Sequence, residues 1–107
     1  MDPHRIAEAR SLALHRLLAE RLLVDPRVVQ QARALAARWL AEGRATHYMK
    51  RWLELLSRDL REVALTIVRE DEDLRALRQC TPFAGIISPR ERWELWRTVR
   101  QRCEAAQ

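Results

Sequence analysis

Few side chains in this 107-residue chain could do chemistry, and their spacing decides how much they can do. The histidines are His4, His15 and His47; the cysteines are Cys80 and Cys103. A structural zinc site needs four clustered ligands, and neither cysteine has a CxxC partner or a neighbouring histidine. A Cys–His nucleophile pair could be built from Cys80 or Cys103 with His15 or His47, but no local signature surrounds either cysteine. Two glycines, Gly43 and Gly85, are too few for a phosphate-cradling loop, and no GxSxG or GxGxxG run is present. The carboxylates Glu70, Asp71, Glu72 and Asp73 are consecutive. At a helix start they fan outward and favour the positive end of the helix dipole, which is not the geometry of a paired acid and base. The residues therefore predict no catalytic site, no metal and no cofactor.

The remaining candidates are binding residues. Arg10, His15 and Arg16 are predicted to form a polar site on the first helix, with His15 held neutral between Leu14 and Leu18; the alternative is a solvated histidine on an exposed face. A second group is Arg78, Gln79, Pro82, Phe83, Arg90, Trp93 and Arg97. Arg90 and Arg97 are seven residues apart and share a helix face, with Trp93 between them. Trp and Arg are enriched at binding hot spots, so a flat aromatic between two guanidinium groups suits an acidic-rimmed apolar patch on a partner. The competing reading makes Trp93 the core contact of the last helix.

The elements that position these residues are legible. Few breakers with abundant Leu, Ala, Arg and Glu favour helix. Asp2-Pro3, Asp25-Pro26 and Ser88-Pro89 each place a capping acceptor before a proline at the first helical position. Glu91 completes a capping box with Ser88, and Val24 with Val29 forms a hydrophobic staple around Asp25. Helices are predicted over about residues 3–23, 26–42, 72–79 and 89–103, with Gly43 ending the second. Met49, Leu53, Leu56, Leu60, Val63 and Ile67 fit one helix from about 46 to 69, while Ser57-Arg58-Asp59 offers caps that would divide it. Residues 80–87 form an apolar loop, predicted to pack on the last helix through Phe83 and Ile86. The fold class is all-α: one compact domain, residues 1–107, of five or six helices. A chain of this length buries roughly 60–70% of its unfolded surface, enough for a core without disulfides.

Charge narrows the partners. The net charge is +5, and the twenty basic residues include nineteen arginines. Residues 1–58 hold eleven basic against six acidic residues; residues 59–107 hold nine of each. A basic half is an electrostatic footprint suited to nucleic acid, and Gly43-Arg44-Ala45 has the length of a helix-turn-helix turn, with His47, Lys50, Arg51 and Glu54 on the following helix. Arginines mixed with glutamates, as in Arg16/Glu20 and Arg38/Glu42, read instead as i,i+4 pairs. Arg10 and Arg21 point into the apolar arc of the first helix, either snorkelling over the core edge or meeting carboxylates of the 70–73 run or of a partner. No apolar run reaches the roughly 20 residues of a membrane span, no signal peptide is visible, and two cysteines fit a reduced cytoplasmic setting.

Across Arg10 to Arg16, Asp25-Pro26, Ala34 to Trp39, Leu77 to Gly85 and Ser88 to Trp93, the chain resembles a group of small bacterial helical proteins. These are encoded beside nucleotidyltransferase-like toxins as antitoxin-like components. The resemblance spans nearly the whole chain, and Leu77 to Trp93 is its most specific stretch. It departs at Cys80-Thr81, where the group carries two serines, and near Arg58, where a proline is absent. It implies a non-enzymatic protein-binding module that neutralises a partner toxin enzyme. The alternative is a basic helical DNA-binding transcriptional regulator.

Overall fold

The computed structural model describes residues 2–106. Among them are six helices and no strand: α1 Pro3–Val24, α2 Arg27–Ala41, α3 Thr46–Leu56, α4 Leu60–Thr66, α5 Glu72–Gln79 and α6 Pro89–Ala105. None is long and apolar enough to cross a membrane. At 1.5 Å per residue α1 is about 33 Å long, and α2, α4, α5 and α6 all pack on it. Its Leu18 and Leu22 are fully buried in a core shared with Val28 and Ala32 of α2, Met49, Trp52 and Leu56 of α3, Val63 of α4, and Leu74 and Leu77 of α5.

Local hydrogen bonds set most helix boundaries. Asp2 accepts from the His4 amide at 3.0 Å to start α1, and Ser88 accepts from Glu91 at 3.2 Å to start α6. At the second junction Asp25 accepts from the Arg27 amide at 3.1 Å, and the helix begins one residue later than expected, with Pro26 flanking it. The expected staple is not formed. Val24 is 84% exposed while Val29 is buried, because the chain turns away at Asp25. α2 ends in a Schellman arrangement: Gly43, at φ 74°, donates to Leu40, and Arg44 donates to the Trp39 carbonyl at 2.8 Å.

The 46–69 stretch is two helices. Asp59 takes an extended conformation and accepts from the Glu62 amide at 3.0 Å, and Ser57 donates to the Glu54 carbonyl at 2.6 Å. Arg58 spans the break, reaching Glu54 at 3.0 Å and Glu62 at 3.6 Å. Met49, Leu56, Val63 and Ile67 are nevertheless all buried, so the apolar stripe survives the bend. α6 lies antiparallel along α1, with Leu95 beside Leu17 and Cys103 beside Ala9 across shared clefts. Val99 is its only fully buried residue, so α6 is an outer strap whose far face is turned to solvent.

The anticipated pairs Arg16/Glu20 and Arg38/Glu42 do not form; Arg16 reaches Glu70 at 4.0 Å instead. The acidic run is divided among separate partners: Asp71 caps α5 and pairs with Arg69 at 2.7 Å, and Asp73 pairs with Arg51. Arg21 meets a carboxylate too, that of Glu91 at the start of α6.

If the Asp59 cap holds the α3–α4 bend, Asp59→Ala lowers stability by about 1 kcal/mol and Asp59→Asn by much less. Thermal unfolding followed by circular dichroism checks this; equal melting temperatures for Asp59→Ala and wild type would contradict it.

Candidate functional site

The 80–87 loop is folded down onto α1 by a polar connection that crosses the core. His15 is fully buried. Its Nδ1 lies 2.7 Å from the Ser11 carbonyl, which can only accept, so the proton sits on Nδ1. Nε2 is then an acceptor for the Thr81 hydroxyl at 2.9 Å, and Thr81 in turn accepts from the Phe83 amide at 3.2 Å. The imidazole stacks on Trp52, with centroids 6.3 Å apart and planes 22° apart, and meets the edge of Phe83 at 5.9 Å. Trp52 and Phe83 are T-shaped to each other at 5.8 Å, and the Trp52 indole donates to the Leu77 carbonyl at 2.9 Å. Desolvation, opposed by the Ser11 bond and reinforced by the Arg78 charge, lowers the His15 pKa to about 4. His15 is neutral at physiological pH, as expected, but as a core residue; the solvated alternative fails.

The first predicted group does not converge. Positions 10, 15 and 16 face different directions on a helix with 100° per residue. Arg10 lies over the Trp96 ring at 5.6 Å, with its Nε buried and unpaired, and Arg16 turns outward to Glu70. His15 points to the loop. The second group divides. Pro82 and Phe83 are buried and hold the loop in place, so they present no surface to a partner. Ile87 is buried while Ile86 is half-buried, which makes Phe83 and Ile87 the loop's deeper anchors. Arg90, Trp93 and Arg97 are all exposed on α6, and Trp93 is 63% exposed. Trp93 is therefore not the core contact; Val99 is.

Arg78 is 5% exposed and donates from Nη1 to the carbonyls of Ile67, at 3.1 Å, and Arg69, at 2.6 Å. It thus closes the end of α4, whose last carbonyls lack helical partners. Burial, and secondarily the neighbouring Arg75, push its pKa below the ordinary arginine range. Arg78 also forms part of a cleft of about 300 Å³ between α1 and α5, with His4, Glu8, Ser11, Arg75 and Gln79. An adjoining cleft of about 210 Å³ shares Glu8, Arg75 and Arg78 and adds Arg5 and Glu70.

Sequence reasoning missed Trp52 and Thr81 as the partners of His15. The departure at Cys80-Thr81 drew attention to the right loop, but no spacing links positions 15 and 81. It also missed His4, Glu8, Ser11 and Arg75 as one cleft, because Arg75 lies more than 60 positions along the chain from the other three. Both His15 nitrogens are occupied, so Cys80 does not pair with it. Burial raises the Cys80 thiol pKa, and its S–H is directed at the Leu77 and Ala76 carbonyls, at 3.5 and 3.8 Å. Among the described residues no three His, Cys, Asp or Glu side chains are grouped to hold a metal ion. Compared with protein-family models, curated proteins and solved structures, the chain finds no match.

Removing the Thr81 hydroxyl without changing its shape leaves His15 Nε2 and the Phe83 amide unpaired. Thr81→Val is expected to cost about 1–3 kcal/mol and Thr81→Ser much less, measured by urea unfolding. Equal losses for the two would assign Thr81 to packing alone. A second expectation concerns pH. Because the folded-state pKa of His15, about 4, lies below the ordinary histidine value of 6.5, the unfolded chain binds the proton first. The stability contributed by neutral His15 is fully present above pH 6.5 and is lost as pH falls from there towards 4, about 3 kcal/mol in all. Urea unfolding between pH 7 and 4 should show that slope in wild type and a shallower one in His15→Gln; identical slopes would contradict it.

Proposed function

We propose that this chain is a non-enzymatic protein-binding module, an antitoxin-like component that neutralises a nucleotidyltransferase-type toxin enzyme by direct binding in the bacterial cytoplasm. The observation that carries the reading is Trp93, 63% exposed on the outer face of α6. The inward side of that helix is already spent on α1, through Val99, Trp96 and the Arg21–Glu91 pair. The Arg90 side chain is 90% exposed and loosely paired with Glu94 at 3.6 Å, and Arg97 is exposed one turn beyond Trp93. An uncovered indole flanked by exposed guanidinium groups has the composition of a binding hot spot. It fits a partner that supplies an apolar pocket with an acidic rim. The family resemblance, densest from Leu77 to Trp93, supports the same surface and supplies the class of partner.

His15, Pro82 and Phe83 serve this surface indirectly, by fixing the loop from which α6 starts, whereas Arg78 ties α5 to the end of α4. Arg10 contributes through its stack on Trp96. The DNA-binding alternative gains less support. On α3, the element that would enter a groove, Arg51 is engaged by Asp73 and Glu54 by Arg58, which leaves Lys50 as the exposed cation without an ion pair there.

The test is whether the gene adjacent to this chain's own encodes a nucleotidyltransferase-type enzyme, whether that enzyme binds this chain, and whether co-expression of the chain relieves the enzyme's growth arrest. Trp93→Ala is expected to weaken binding by about 2 kcal/mol or more while leaving the melting temperature unchanged. Unaltered binding by Trp93→Ala would remove this surface from the interface. Failure to bind the enzyme, with duplex-DNA binding that falls roughly 10³–10⁵-fold from 50 to 200 mM salt, would establish the regulator instead.

A further inference from the structure

The molecule holds a second feature that the α6 surface does not use. Arg78 as a residue is only 5% exposed, and no carboxylate lies within ion-pair distance of its guanidinium among the described residues. A buried charge is costly unless it is paired. Two backbone carbonyls engage Nη1, but they supply only partial negative charge, and the guanidinium makes no other hydrogen bond among the described residues. Arg78 forms part of the wall of the cleft between the N-terminal part of α1 and the C-terminal half of α5, at the opposite end of α1 from the Arg21–Glu91 contact. Arg75 stands one turn earlier on α5, exposed and without an ion pair among the described residues. Gln79 completes the α5 wall, and His4 and Ser11 face it from α1. Glu70, which lines the adjoining cleft, is already turned to Arg16.

We propose that this cleft is a binding site for a small phosphate-class anion, held by Arg75 and Arg78 from α5 and by Ser11 and His4 from α1. Donors on both walls suit a tetrahedral anion, whose oxygens point in several directions. A flat carboxylate is satisfied by a single guanidinium edge. The volume, about 300 Å³ with a further 210 Å³ adjoining, accepts a phosphate with a small organic group attached. Glu8 is the opposing charge on the wall common to both clefts, and it forms no ion pair with either arginine. Its carboxylate lowers affinity for a dianion and sets a ceiling on binding that a neutral replacement lifts.

The experiment is a titration of the full chain with inorganic phosphate at constant ionic strength, followed by amide chemical shifts. Saturable shifts confined to residues 4–12 and 75–79 are expected, with sodium chloride giving none. Arg75→Gln, at an exposed position, should weaken binding on the order of tenfold by loss of a charge-assisted contact, and Glu8→Gln should strengthen it. Phosphoserine binding at least as well as inorganic phosphate would place an organic phosphate in the adjoining cleft. Shifts spread over the arginine-rich surface, acetate binding as tightly as phosphate, or an Arg75→Gln variant with unchanged affinity would each overturn the assignment.

Discussion

A neutral imidazole in a dry core has one donor and one acceptor, and both must be met or the group destabilises the fold. His15 meets them with the Ser11 carbonyl on its own helix and the Thr81 hydroxyl 66 residues away. The first bond fixes the ring's orientation on α1; the second fixes where the 80–87 loop must come down. From that point the placement of Phe83 against His15 and Trp52 follows, as does the bond from the Trp52 indole to the end of α5. Four segments of the chain are thereby referred to one ring. The loop's exit then sets the start of α6, so the exposed tryptophan on that helix owes its position to a residue it does not touch.

The arginines show how one residue type can serve unlike ends. Arg78 is nearly buried and closes a helix end through a single nitrogen, Nη1, which donates to two carbonyls. Arg21 ties the start of α6 to α1 through Glu91. Arg10 lies across Trp96, where a delocalised cation is attracted to the ring face. Arg90 and Arg97 remain in solvent. A basic composition alone suggests one diffuse positive surface; the fold converts much of it into internal connections and leaves two local concentrations, one around Trp93 and one beside Arg75.

The two ends of α1 consequently differ in kind. At its C-terminal end, α6 presents an exposed aromatic ring between exposed arginines, the surface proposed for a protein partner. Near its N-terminus, a recessed cleft brings polar groups together from two helices, suited to a small anion. Because α1 packs against α2, α4, α5 and α6, it is the rigid body common to both.

Helix boundaries were open to sequence reading because their causes are local. Asp2, Asp71 and Ser88 cap amides two or three residues away, and Gly43 supplies a positive φ that an L-residue resists. Where two local signals competed, at residues 57–59, the Asp59 cap prevailed, and the bend lets α3 pack on α2 while α4 packs on α1. Trp93, Trp96 and Val99 illustrate the limit. A spacing of three drifts by about 60° per step on a helix, so the pattern could not say which of them lies at the centre of the buried face; packing on α1 chose Val99. The partner of His15, the lone buried charge of Arg78 and the division of residues 70–73 among Arg16, Arg69 and Arg51 depend on segments far apart in the chain. Composition and periodicity act over one or two turns and determined the helices; only their packing determined which charges would meet.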